Sequence, residues 1–318
     1  MKATTMASGI THLASLPIRA RESTRATLKQ CLSRPDLRGE TVSYKGDGLD
    51  LAGEAFGDPA AAPVLFFHGG GQSRNAWRAS ARQLGEAGYY GIAFDLRGHG
   101  ESEWATDGDY HVEAFARDVE ALLTKFSRRV TLVGASRGGQ AALIGGSRHP
   151  ERIRLIMLAD VAPDMPDNGI DGIRQFFAEG ARGYESLEAA ADALSHHLEQ
   201  PRMADPARLS RSMRQDDKGR WHWHWDPATG REEFLHPPSE NEAVLAAAAR
   251  ITSPLVMVRA ELSHLVSDTN TARFKALAPH LEILTARGAG HMFTADRNDT
   301  FAAQLLTQLS RYPEEPIG

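Results

Sequence analysis

The chain has 318 residues, of which 42% are hydrophobic and 24% charged, with a formal net charge of −5. This suits a soluble domain with a substantial core, and the mild acidity gives no reason to expect nucleic acid or an anionic membrane as a partner. The single cysteine, Cys31, excludes an intramolecular disulfide and cannot form a metal site alone, so a reducing, cytoplasmic setting is the simpler expectation.

Residues 1–38 carry Arg, Ser and Thr, with no acid before Glu22. That resembles an organellar transit peptide in composition but lacks a secretory apolar core, and it is read as a plain N-terminal extension. No apolar stretch of the sequence approaches the roughly 18–20 residues that span a bilayer. Next come "ETVSYKG" (40–46) and "LDLAGEAF" (49–56), joined by Gly-Asp-Gly, which predict an antiparallel hairpin. "PVLFFHG" (63–69), "GIAFDL" (91–96), "RVTLVGA" (129–135) and "RIRLIML" (152–158) are short apolar runs that predict buried strands. Helical periods separate them. Phe115, Val119, Leu122 and Phe126 share one face of 111–126, and 136–149 follows its strand directly. After "PLVMVRA" (254–260) and "LEILTA" (281–286), the segment 296–310 predicts a closing helix.

Strands alternating with helices imply an α/β fold with a mostly parallel sheet covered on both faces. The alternation breaks after residue 162. Helical periods then follow one another up to "GRWHWHWDPATG", so 163–247 is expected to be an inserted, mainly helical cap on a core of 39–162 and 248–318. Trp221, Trp223 and Trp225 alternate with histidines, which predicts a strand with its tryptophans on one face. They either pack the cap or, with Trp223 foremost, line an apolar pocket. Trp77 is ambiguous in the same way.

The strongest chemical signal is "LVGASRGGQ" (132–140), a G-x-S-x-G pattern between a predicted strand and a predicted helix. Small residues at 134 and 138 permit a tight turn that exposes Ser136 at the positive end of a helix dipole. Ser136 is the candidate nucleophile, and a serine hydroxyl needs a base. His291, in the glycine-bearing loop "GAGHMF" between the last strand and the final helix, is the candidate. Acyl transfer also needs donors for a developing oxyanion. His68-Gly69-Gly70-Gly71 follows a strand and lets amides approach a substrate; the N–H groups of Gly70 and Arg137 are the expected pair, with Gly71 as alternate. No phosphate-loop pattern accompanies these glycines. The Arg137 side chain is expected to pair with an acid on the cap or to reach a substrate carboxylate.

Together "HGGG", "FDLRGHGES" (94–102), "VGASRGG" and "GAGHM" resemble the α/β-hydrolase superfamily, its esterase, haloperoxidase-like and epoxide-hydrolase-like branches in particular, over roughly residues 40–312. The resemblance implies a Ser–His–acid triad, no cofactor and no metal, and a small-molecule substrate; a homodimer is allowed. It also implies an acid some 25–30 residues before the histidine, and there the chain departs from the pattern, because His264 holds that position. A histidine cannot stabilise an imidazolium, since like charges oppose it. Asp160, at the end of "LIMLAD", is the expected replacement; Asp268, Glu261 or no acid at all are the alternatives. His68, Gly71, Trp77, Trp223 and His264 are expected around the substrate. The expected reaction is hydrolysis of a small to medium apolar ester or lactone. The alternatives are carbon–carbon bond hydrolysis or peracid formation with the same triad, or a weakly catalytic or non-catalytic binding protein.

Overall fold

A computed structural model describes residues 38–164, 170–198, 205–235, 238–263, 265–288 and 298–314. The N-terminal extension lies outside the described residues.

The eight strands of the main sheet are β1 (Glu40–Lys45), β2 (Asp50–Phe56), β3 (Pro63–Phe67), β4 (Tyr90–Phe94), β5 (Val130–Ala135), β6 (Ile153–Ala159), β9 (Leu255–Ala260) and β10 (Glu282–Ala286). Their spatial order is β1-β2-β4-β3-β5-β6-β9-β10. β2 runs antiparallel to β1 and to β4, and the other pairs are parallel. Each expected strand is present. The runs in β3, β4, β5 and β6 are buried at every residue, as strands covered on both faces must be.

Two layers of helices cover the sheet. Leu65 and Phe67 of β3 face one core with helices α2 (Val112–Leu123) and α3 (Ser136–Arg148). Val64 and Phe66 face the other core with helices α1 (Arg78–Glu86) and α8 (Asn298–Arg311). This is the alternation a pleated strand imposes. Helix α1 has no counterpart among the sequence expectations. Its buried residues are Ser80, Ala81, Leu84 and Gly85, so little apolar periodicity marks it.

Between β6 and β9 the chain forms α4 (Ile170–Arg182), α5 (Leu187–Leu198), a two-stranded hairpin of β7 (Met213–Gln215) and β8 (Trp221–Trp223), and then α6 (Pro238–Arg250). Phe176, Phe177, Tyr184, Trp223 and Trp225 bury against one another in a cluster of their own, with Trp221 packed on its edge. The tryptophans therefore do share one apolar cluster. Helix α6 packs elsewhere: Val244, Ala247 and Ala248 join the α2–α3 core. The self-packed part of the insertion therefore closes before α6, and not at residue 247. Backbone hydrogen bonds tie it to the loop after β4, Gly100 N–H donating to His224 O at 2.5 Å and Asp226 N–H to Gly98 O at 2.7 Å. The Tyr110 hydroxyl adds a bond to Asp226 at 2.6 Å. Helix α7 (Asp268–Leu277) connects β9 to β10. No described helix is long and apolar enough to cross a membrane.

Candidate active site

Ser136 occupies the junction of β5 and α3 with φ of +45°, a left-handed conformation that costs a non-glycine residue on the order of 1–3 kcal/mol. The surrounding glycines make the turn sterically feasible. A Cβ at 134 would lie 2.5 Å from the Gly139 Cα, and one at 138 would lie 2.4 Å from the His68 carbonyl oxygen. The Gly138 N–H donates to that same carbonyl at 3.1 Å. The β3 loop and the serine turn are thus joined back to back, and a Cβ built on Gly69 would meet the Ser136 Cβ at 3.2 Å. Ser136 itself is half-buried at the N-terminus of α3.

The glycine loop is held on both sides of Gly70. Gly69 N–H donates to Gln72 Oε1 at 2.9 Å, and His68 Nδ1 bonds to Gly69 O at 2.7 Å. Gly71 N–H donates to His99 Nε2 at 3.1 Å. Gly70 is exposed, and no described residue accepts a bond from its N–H. The Gly71 amide is committed to His99, so Gly71 is not an alternate donor. His68 does not line a substrate pocket either. It is fully buried, its Nε2 accepts from Leu96 N–H at 3.0 Å, and burial lowers its pKa to about 4. It is a neutral strut between two backbone segments.

Trp77 is likewise corrected. It is fully buried on the far face of the sheet, between Phe66 and Phe301, and its Nε1 donates to Phe67 O at 3.0 Å. Trp223 packs inside the insertion against Phe176 and Tyr184. The residues that reach the glycine loop are Phe176 and Phe177 of α4. A Cβ on Gly71 would lie 3.0 Å from Phe176 Cε1, and one on Gly70 3.7 Å from Phe177 Cζ.

The Arg137 side chain takes the structural role. It is buried, with Nη1 donating to Glu240 Oε2 at 2.6 Å and Nη2 to Phe234 O at 2.5 Å. Glu240 Oε1 in turn accepts from Val112 N–H at 2.7 Å, at the start of α2. The Arg137 guanidinium is therefore committed to Glu240 and Phe234. Breaking a buried pair strands one charge, which costs about 3–5 kcal/mol. We expect Glu240→Ala to lower unfolding stability by that amount in urea titration, and Arg137→Met with Glu240→Leu to recover much of it. A loss below about 1 kcal/mol for the single variant would contradict a buried, committed pair.

Asp160 ends β6, the strand next to β5, with φ of +52° and no exposed surface. Its Oδ1 accepts from Ala260 N–H at 2.9 Å and its Oδ2 from the Ser263 hydroxyl. Ser263 Oγ also accepts from Leu265 N–H and Val266 N–H. The loop after β9 thus folds around Asp160. Asp268 points away: its side chain is 93% exposed and pairs with Arg259, while Ser267, not Asp268, caps α7. Glu261 is exposed and accepts from Gly288 N–H at 2.7 Å. His264 and His291 lie outside the described residues. Within those residues no cluster of His, Cys, Asp and Glu has metal-binding geometry.

The α/β hydrolase fold family model matches residues 62–297. Esterase Rv0045c of Mycobacterium tuberculosis is 26% identical over 253 residues, covering 75% of this chain and 79% of the relative. The 2-(acetamidomethylene)succinate hydrolase of Mesorhizobium japonicum is 26% identical over 242 residues, 72% of this chain and 81% of the relative. A crystal structure of an E-2-(acetamidomethylene)succinate hydrolase superimposes with a TM-score of 0.76 at 21% identity, over 86% of this chain and all of that one. The strand order, the serine turn and these matches together establish that the chain belongs to the α/β hydrolase fold family and is a hydrolase enzyme.

Proposed function

We propose that the protein is a serine hydrolase that cleaves small to medium apolar carboxylic esters or lactones through an acyl-enzyme. The observation that carries this reading is Ser136 in a left-handed turn, against a loop whose Gly70 amide no described residue uses. Ser136 Oγ attacks the carbonyl carbon, and its proton passes to His291. The oxyanion is held by the N–H groups of Gly70 and Arg137. The intermediate collapses, the C–O bond breaks, and the leaving alkoxide takes the proton from His291. Water then repeats the sequence on the acyl-enzyme and regenerates the serine. Asp160, on the adjacent strand, orients His291 and stabilises the imidazolium.

The apolar preference is supported by the rings of Phe176 and Phe177 beside the glycine loop and by the pairing of Arg137 with Glu240, which withholds that guanidinium from a substrate carboxylate. The esterase relative favours an ester bond over other acyl bonds. Stopped-flow hydrolysis of p-nitrophenyl acetate tests the covalent step. A burst of one p-nitrophenolate per enzyme is expected; no release above buffer at neutral pH would overturn the reading.

Phe177 sets the depth of the site beside the oxyanion loop in this reading. Phe177→Leu is expected to raise kcat/KM for p-nitrophenyl octanoate relative to acetate by about 5-fold or more, since one methylene of pocket space is worth 10-fold or more in discrimination. An unchanged chain-length profile would remove Phe177 from the substrate's path.

A further inference from the structure

We infer that His99 is a positioning residue for the oxyanion hole, linking the insertion to the loop that carries Gly70 by holding the Gly71 amide. The inference rests on the serine-hydrolase reading above. His99 belongs to the turn Arg97-Gly98-His99-Gly100 after β4, 28 residues from Gly71, and is buried. Its Nδ1 bonds to the Arg97 carbonyl at 2.9 Å, which places the ring hydrogen there and leaves Nε2 as an acceptor. Gly71 N–H fills that acceptor.

The turn that carries the imidazole is itself immobilised from three directions. Gly98 and Gly100 both have positive φ, and a Cβ at either would run into Tyr110 or Asp95. The Ser102 hydroxyl donates to Asp95 O at 2.7 Å, and Asp95 accepts from the Arg74 and Glu101 N–H groups. The insertion supplies the third restraint, because residues 98 and 100 exchange backbone bonds with 226 and 224. His99 therefore transmits a fixed reference point to the glycine loop. Two peptide planes meet at Gly70: the one before it carries the Gly70 N–H and is held through Gly69 O by His68 and by the Gln72 N–H, and the one after it, leading into Gly71 at φ of +74°, is held through the Gly71 N–H by His99; with the second plane bonded to His99, Gly70 has no free torsion through which the loop could turn its N–H away.

One neighbour and burial make this acceptor dependable. His68 lies edge-on to His99, with ring centroids 5.2 Å apart, and braces Gly69 as His99 braces Gly71. Burial, reinforced by His68, lowers the His99 pKa to about 3, so the ring stays neutral and Nε2 keeps its lone pair throughout the working range of a neutral imidazole base. His99 touches no reacting atom in this scheme; it acts through the Gly70 amide.

Two variants of similar bulk separate an acceptor role from a space-filling one. His99→Gln retains an acceptor near the Nε2 position, whereas His99→Leu has none. On p-nitrophenyl acetate, His99→Leu is expected to lose about 10–100-fold in kcat with KM changed less than 2-fold, the loss typical of a misaimed oxyanion donor. Affinity for an aryl trifluoromethyl ketone, which forms a tetrahedral adduct, should fall in parallel. His99→Gln should recover to within about 3-fold of the parent. If both variants fall equally, or if His99→Leu keeps the parent's kcat and ketone affinity, the inference is overturned. If His99→Leu does not fold, a 10-fold or larger kcat loss in a folded His99→Gln overturns it, and near-parent activity upholds the acceptor role. Parent enzyme that fails to form the ketone adduct would instead defeat the serine-hydrolase reading, which keeps the two failures distinct.

Discussion

Ser136→Ala is expected to lower kcat on p-nitrophenyl acetate by about 10⁴-fold or more while leaving the thermal midpoint within a few degrees of the parent's. The size follows from the role. In the proposed mechanism the hydroxyl forms the acyl bond, and no other described nucleophile stands at the end of β5. The unchanged stability follows from the geometry: alanine enters the same left-handed turn at the same cost. A variant retaining more than one-tenth of the parent's kcat would show that Ser136 is a turn residue and not the nucleophile.

Asp160→Asn is expected to lower kcat by about 10²–10⁴-fold, the range of a triad whose histidine loses its anionic partner. Asp268→Asn should change kcat less than 2-fold, because that carboxylate is exposed and engaged with Arg259. Asp160 also anchors the loop after β9 through Ala260 N–H and Ser263, so its replacement weakens the fold as well. Activity is therefore compared at temperatures well below each variant's midpoint. A fall in stability with kcat intact would make Asp160 a loop anchor only. The companion variant His264→Asp tests the vacant family position, and a gain of activity there in an Asp160→Asn background would show that either carboxylate can serve the histidine.

The sheet was legible because β3 to β6 are continuous apolar runs, and nothing but burial on both faces makes that pattern. The serine turn was legible because its glycines stand at fixed offsets from Ser136, although only Gly134 is demanded by a local contact, with Gly139, while Gly138 faces the carbonyl of His68 in the β3 loop. Helix α1 escaped notice because Leu84 is the one large apolar side chain among its buried residues, beside Ser80, Ala81 and Gly85. That α6 packs on the α2–α3 core was not legible, because its alanines read alike whether they pack on a cap or on the sheet.

Sequence reasoning singled out Ser136 and Asp160, which both take left-handed backbone conformations, and misjudged positions set by tertiary contact. Trp77 and His68 stand beside the glycine loop in sequence, yet the strand and the start of α1 turn both into the interior. His99 sat inside "RGHG", a stretch with family character, but its partner is an amide 28 residues away. Phe176 and Phe177 lay in an evident helix whose inner face no local signal identifies. Ser263 and Glu261 flank the position where an acid was sought, and they serve Asp160 and Gly288 instead. That arrangement also weighs against a non-catalytic binding protein, because the departure at His264 that motivated it is accompanied by a buried carboxylate on the next strand.

The most direct measurement of the central claim is covalent labelling of the purified full chain by a fluorophosphonate at neutral pH, followed by peptide mass spectrometry. One adduct per chain, on Ser136, is the result this account predicts. No adduct on Ser136 under conditions that label a reference esterase to completion would contradict it.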